Sequence, residues 1–192
     1  MSLRDFDVES YPIASVVLDT EDIALANLFR RAILSEIETY QIDIAIFYEN
    51  TSFVHDETIA LMLGLVVIDN DEYIPPSEGD FKTRIDCQGP KEFTTKDIPD
   101  IPFKHVTPIL YLDEGQRITC DVVVKKGTGA IHVKWRPVSK VILNKVEGGY
   151  KFTIKNIGMM NSEKIFQEGH RKIETATKRQ STNMFFQHTV PS

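Results

Sequence analysis

The chain has 192 residues, 42% of them hydrophobic and 26% charged, an ordinary globular composition with enough chain to bury a core. Its formal net charge of -6 supplies no basic field for a phosphate backbone, which weighs against a free-standing nucleic-acid binder. Cys87 and Cys120 are its only cysteines, which argues against a disulfide scaffold or a four-ligand zinc site, and no run of about 18 apolar residues offers a membrane span. The N-terminal stretch mixes Arg4, Asp5, Asp7 and Glu9 without a signal-like apolar segment, so an intracellular protein is expected.

Residues 11–18 (YPIASVVL) are rich in β-branched and aromatic side chains and predict a strand. Thr20 or Asp22 then offers a helix cap, with acidic neighbours suited to a helix N-terminus. From Ile23 the apolar residues Leu25, Phe29, Ala32, Ile33 and Ile37 recur at helical spacing, predicting a helix of about 17 residues, roughly 25 Å long. Leu28 and Leu34 widen the stripe beyond one buried face, enough to serve a core and a partner together. Residues 40–48 (YQIDIAIFY) alternate Ile42, Ile44 and Ile46 with mostly polar neighbours, as a half-buried strand does. A second helix is expected over 56–65, with Ile59, Met62, Leu63 and Val66 as its apolar side, followed by an acidic, turn-rich loop over 69–80.

Short strands are expected at 81–87 and 92–95, an irregular proline-punctuated stretch at 98–108, and strands at 109–112 and 117–125 joined by a turn at Asp113, Glu114 and Gly115. Residues 126–137 (KGTGAIHVKWRP) form a glycine-containing loop that ends in an aromatic-basic cluster. Strands at 138–143 and 150–157 share a hairpin turn at Glu147, Gly148 and Gly149. A last helix starts near Ser162 and carries Ile165, Phe166 and Ile173, weakened locally by Gly169. The polar stretch 177–192, with its patch at Met184, Phe185 and Phe186, reads as a tail that is flexible or ordered by a partner. Together the order predicts an α+β fold: an α/β domain built from both chain ends (10–45 and 138–176), interrupted by an inserted β-rich domain (46–137), with a C-terminal tail (177–192).

Arg30 and Arg31 point about 100° apart on a helix, so at least one leaves the apolar face. A solvated surface is the usual fate of such a pair; beside so broad an apolar stripe, a carboxylate-pairing role at a docking surface is the sharper reading. His55, Asp56 and Glu57 could suggest acid-base or metal chemistry, but three consecutive residues at a helix start do not converge, and the two acids suit the helix dipole. Asp69, Asp71 and Glu72 lack the spacing of a calcium loop. Lys125-Lys126-Gly127-Thr128-Gly129 is not a nucleotide loop, because Ala130 and Ile131 stand where a lysine and a hydroxyl are needed. Trp135, the single tryptophan, ordinarily covers a core. No catalytic residue, metal site or cofactor is expected.

Four segments in this order resemble one family. DIALANLFRRAILSEI, YQIDIAIFYENTSFVHDETIALMLGLVVI, KKGTGAIHVKWRPV and FTIKNIGMMNSEKIF are similar to the third-largest subunit of eukaryotic RNA polymerase II and the archaeal D subunit, with the bacterial α-subunit N-terminal domain a more distant relative. The resemblance covers about residues 16–176. It implies a dimerisation domain made from both chain ends, and pairing with a smaller α-like subunit of the eleventh-subunit or archaeal L type. Leu25, Leu28, Phe29, Ala32, Ile33, Ile165 and Phe166 then lie at or beneath that interface. Arg30 and Arg31, with Lys126, His132, Lys134 and Trp135, are expected to face the largest and second-largest subunits. The resemblance also implies small zinc-binding polymerase subunits as further partners, with DNA met only through the complex.

Many family members carry a four-cysteine zinc loop or an iron–sulfur module in the inserted domain. Residues 69–80 take its place here and contain no cysteine. Such a compact chain fits a viral or divergent polymerase as readily as a cellular one, with residence in the nucleus, the cytoplasm or a viral factory. The rival readings are a stand-alone homodimeric interaction module and a small hydrolase using His55, Asp56 and Glu57.

Overall fold

A computed structural model describes the backbone of residues 2–8, 11–75 and 80–187, and side chains as far as Lys178. In chain order the elements are β1 (Leu3–Asp7), β2 (Ile13–Leu18), α1 (Ile23–Ser35), β3 (Glu38–Asn50), α2 (Asp56–Leu65), β4 (Phe81–Gln88), β5 (Lys91–Thr94), β6 (Pro108–Leu112), β7 (Arg117–Thr128), β8 (Val138–Val146), β9 (Gly149–Asn156) and α3 (Ser162–Gln187). Single 3-10 turns occur at Thr95–Asp97 and Val133–Trp135. The fold is α+β, with helices near both ends and a β-rich centre.

The chain divides into two compact units. The first comprises Met1–Ile37, Arg136–Ile157 and Asn161–Ser192. Its sheet has the antiparallel order β1-β2-β9-β8, with Val16 opposite Phe152 and Leu143 completing that row from β8. The face bearing Phe152 and Ile154 is covered by helices. Phe29 of α1 meets Phe152 edge-on at 4.7 Å between ring centroids, and Phe166 of α3 meets Phe6 of β1 at 6.2 Å. Asp22 caps α1 by accepting a 2.8 Å hydrogen bond from the Ala24 N–H, one of the orphan donors of a helix start.

The second unit comprises Glu38–Trp135 and Gly158–Met160. Its sheet has the order β3-β7-β4, and β5 pairs with β6 in a separate ribbon. Strand alternation is plain in β4, where Thr83, Ile85 and Cys87 turn inward. They join Ile118, Cys120, Val122 and Val124 of β7 in a core closed by Ile59 and Leu63 of α2.

Several elements differ from the sequence reading. The strand β1 was not expected; LRDFD carries no β pattern, and it is held by pairing with β2 and by the ion pair of Arg4 with Asp19. Helix α1 has 13 residues, fewer than the pattern suggested, because Ile37 is buried in the turn after the helix rather than within it. Strand β3 pairs with β7 from Glu38 opposite Thr128 to Asn50 opposite Ile118, so it cannot be divided near residue 46 and lies wholly in the second unit. Helix α3 continues through Gln187, where a tail was expected from residue 177. The side chains of Met184, Phe185 and Phe186 lie outside the described residues.

Candidate functional site

The first unit presents a pair of helices. Contacts move backwards along α3 as they advance along α1: Leu25 lies near Glu174 and Lys178, whereas Ile33 lies over Gly169. The helices therefore run antiparallel. Between them is a groove of about 520 Å³ lined by Leu28, Arg31, Ala32 and Glu36 of α1 and its C-terminal turn, and by Arg171, Ile173 and Thr175 among others of α3. Gly169 is what brings the helices together, since a Cβ there would stand 2.9 Å from Ile33 Cγ1 and 3.1 Å from Phe29 Cε2. The glycine read as a local weakness is thus a packing requirement.

Of the residues expected at or beneath a partner interface, Phe29, Ala32, Ile33, Ile165 and Phe166 are buried within this unit. Each contributes roughly 1.5–3 kcal/mol to the unit's own core if fully buried and large. Only Leu25 and Leu28 are half exposed; Leu28 lines the groove, and Leu25 lies beside Glu174, Thr177 and Lys178. Arg31 is exposed and shares the groove with Leu28, three residues earlier on the same side. Arg30 lies on a different side of the helix, half-buried, with its Nε donating at 3.5 Å to Asn27 Oδ1.

The loop after β7 is a hook within the second unit. Trp135 is buried and stacks so closely on Gly127 that a Cβ there would fall 2.4 Å from the indole; only glycine admits that approach. Lys134 lies over the Trp135 ring at 4.5 Å and donates from Nζ to Ile42 O (3.2 Å) and Asp43 Oδ1 (2.6 Å). Ile42 and Asp43 sit where the β3–β7 register shifts, so Lys134 braces the strand at its bulge. His132 Nδ1 accepts from the Lys134 N–H, and Lys126 pairs with Glu38 across the strands. The exposed apolar members of this loop are Ile131 and Val133.

Sequence reasoning missed a second exposed apolar group, Phe53, Leu61 and Leu65, on and beside α2. Phe53 is 87% exposed. The available signal was a helix apolar on nearly all sides, with Ile59 and Leu63 sufficient for its buried face.

Several of the described groups suited to catalysis are engaged by neighbours or buried. His55, Asp56 and Glu57 are all exposed at the start of α2, and Asp56 accepts a 2.6 Å hydrogen bond from Asn50 Nδ2. Asp121 is gripped by Arg84 at 2.8 Å, Lys82 at 2.7 Å and the Tyr48 hydroxyl at 2.6 Å, and these hydrogen bonds hold its carboxyl well below the usual carboxylate range. Burial pushes the Cys87 thiol up, and burial with the nearby charges of Asp121 and Asp56 pushes Cys120 up to about 12, so neither supplies a thiolate nucleophile. Among the described residues no three His, Cys, Asp or Glu converge as metal ligands, and no helix is long and apolar enough to cross a membrane.

Residues 15–176 match the family of the RNA polymerase Rpb3/Rpb11 dimerisation domain, a span that starts in β2, takes in α1 and the second unit, and ends in α3. The chain belongs to that family. Within the Rpb3/Rpb11 family, it is 31% identical over 151 residues to the DNA-directed RNA polymerase subunit Rpo3 of Methanocaldococcus jannaschii, a stretch covering 76% of this chain and 77% of that one. It is 32% identical to Rpo3 of Aeropyrum pernix and 33% identical to Rpo3 of Pyrococcus horikoshii, each covering 63% of this chain and 51% of the relative. The chain thus spans about half the length of these last two curated relatives.

Proposed function

We propose that this chain is a non-catalytic assembly subunit of a DNA-directed RNA polymerase. It pairs with a smaller α-like subunit of the eleventh-subunit or archaeal L type and forms with it a platform for the two large catalytic subunits. The observation that carries this reading is the unbroken family match across residues 15–176, which includes both helices of the first unit. On this reading the first unit is the dimerisation domain and the second the inserted domain.

The buried side chains divide the work. Phe29, Ala32, Ile33, Ile165 and Phe166 fix the helix pair from beneath, and Leu25 and Leu28 meet the small partner. Arg30 and Arg31 extend the surface toward the second-largest subunit, because planar guanidinium groups pair well with carboxylates at interface rims. Lys134 and Trp135 hold the hook in place, leaving Lys126 and His132 to meet a large subunit. Small zinc-binding subunits complete the assembly, and DNA is reached only through the complex, in the nucleus, the cytoplasm or a viral factory.

Co-expression with a candidate small α-like subunit, followed by size measurement of the purified material, tests the pairing. A one-to-one complex is expected. Leu28→Asp places a charge in the groove and is expected to weaken pairing by about 10- to 100-fold, the equivalent of one buried leucine. Pairing that survives Leu28→Asp unchanged overturns the assignment of the groove. A stable homodimer that the small subunit does not displace favours the stand-alone module instead.

A further inference from the structure

The sheet of the first unit has a second face, turned away from α1. Antiparallel partners share a face, so the register places Lys140 of β8 directly opposite Lys155 of β9, and Lys155 opposite Ile13 of β2. The same face carries Ile142 opposite Thr153, and Asn144 opposite Lys151. The alternate pairs, Val141 with Ile154 and Leu143 with Phe152, point into the core. Lys140, Lys151, Lys155, Ile13 and Ile142 are all exposed.

Like charges directly opposite across strands are destabilising, yet Lys140 and Lys155 stand in that relation. Among the described residues no ion pair engages the ammonium groups of Lys140, Lys151 or Lys155. The acid on this face in strand register is Asp7, opposite Ser15 on β1, two strands from β9 and so about 10 Å away. Lysine on an edge strand often serves to block strand addition, which accounts for Lys140 on β8. It does not account for Lys151 and Lys155, because β9 lies between β2 and β8. In a chain of net charge -6, a face whose three ammonium groups pair with no described residue is complementary to an anionic partner.

We propose that this face docks an acidic segment of another protein, whose carboxylates pair with Lys140, Lys151 and Lys155 and whose apolar side chains rest on Ile13 and Ile142. A protein fits better than a nucleic acid. Ile142 lies between the rows of Lys140 and Lys151 and Ile13 flanks Lys155, no aromatic side chain among the described residues occupies this face in register to stack a base, and Arg4 is already engaged by Asp19 and Asp5. The surface is distinct from the helix groove, and the inference goes beyond the polymerase reading without resting on it.

The test uses the complex that co-purifies with the full chain from its native source. Acetylation by an N-hydroxysuccinimide ester, read by mass spectrometry, compares each lysine in the complex and in the isolated chain. Lys140, Lys151 and Lys155 are expected to label about tenfold more slowly in the complex, as a mostly occupied face requires. Carbodiimide, which joins a lysine to a carboxylate in contact with it, is expected to link them to Asp or Glu of a second chain. That chain should be lost from complexes purified with the Lys151→Glu, Lys155→Glu double variant. Equal labelling in both states overturns the proposal. Protection that nuclease digestion removes assigns the face to nucleic acid and overturns it equally, and protection without carboxylate cross-links overturns the acidic chemistry.

Discussion

Replacing Gly169 by alanine adds a methyl group where α3 lies closest to α1, and two effects of opposite sign compete. In an exposed helix the change is worth about 1 kcal/mol of added stability, because glycine loses more backbone freedom on folding. Here the new Cβ would stand 2.9 Å from Ile33 Cγ1 and 3.1 Å from Phe29 Cε2. Both side chains are fully buried, and Phe29 is already held against Phe152, so neither can yield cheaply. Overpacking a close-packed interior costs about 1–3 kcal/mol. The net expectation for Gly169→Ala is a loss of up to about 2 kcal/mol, and at about 2–4 °C per kcal/mol for a chain of this size it lowers Tm by several degrees. Gly64→Ala in α2 is the internal control, since its nearest neighbour, Ile42 O, lies at 3.6 Å, an ordinary contact. That variant is expected to gain up to about 1 kcal/mol. Urea unfolding with an unchanged m-value reads both. If Gly169→Ala stabilises as much as Gly64→Ala, the account of how the helices meet is wrong.

Lys134→Met keeps an apolar side chain beside Trp135 but removes the ammonium over its ring and both Nζ hydrogen bonds, and is expected to cost about 1–3 kcal/mol; unchanged urea stability together with weaker partner binding would instead make Lys134 a docking residue. Burial alone would raise the pKa of Asp69, but hydrogen bonds from Lys104 and the Asp71 N–H, with the Lys104 charge, outweigh it and hold the carboxyl below its usual range. A depressed folded-state pKa stabilises above the unfolded value, about 3.9, and that stability is lost as pH falls through the folded value. The stability gap between the wild type and Asp69→Asn should therefore be full at neutral pH and close below about pH 4; a gap independent of pH counts against this. Cys120, buried and pushed up to about 12, should resist iodoacetamide at pH 8 until urea unfolds the chain, and rapid labelling of the native protein would refute its placement in the core.

Local chemistry was legible wherever neighbours in the sequence dictate it. The alternation in β4 and β9, the Asp22 cap of α1 and the turn at Gly148 and Gly149 each follow from side chains a few residues apart. At Gly148, φ is +72°, a conformation that favours glycine. Strand β1 was not legible, because LRDFD becomes a strand only through β2 and Asp19, more than ten residues away. The contacts of Trp135 and Lys134 with Gly127, Ile42 and Asp43 of their own unit were not legible either. A clue was present, since a glycine inside the strand β7 marks close approach by another group, but nothing nearby in sequence names Trp135 as that group.

Periodicity, caps and turns are written along the chain, and with the order of four motifs they carried the α+β class and the family resemblance. Distances between remote segments are not written there. Gly169 beneath Phe29 and Ile33, and β3 opposite β7, depend on packing between segments far apart in the chain, and even the indole on Gly127 and Lys140 opposite Lys155 depend on how the chain folds back on itself. Register is set by how the whole buried face packs, because shifting a strand by one residue exchanges its core and solvent sides. The helical stripe therefore announced an apolar surface, but packing chose which part of it remains open, leaving Leu25 and Leu28 half exposed and closing Phe29 and Ile33 inside.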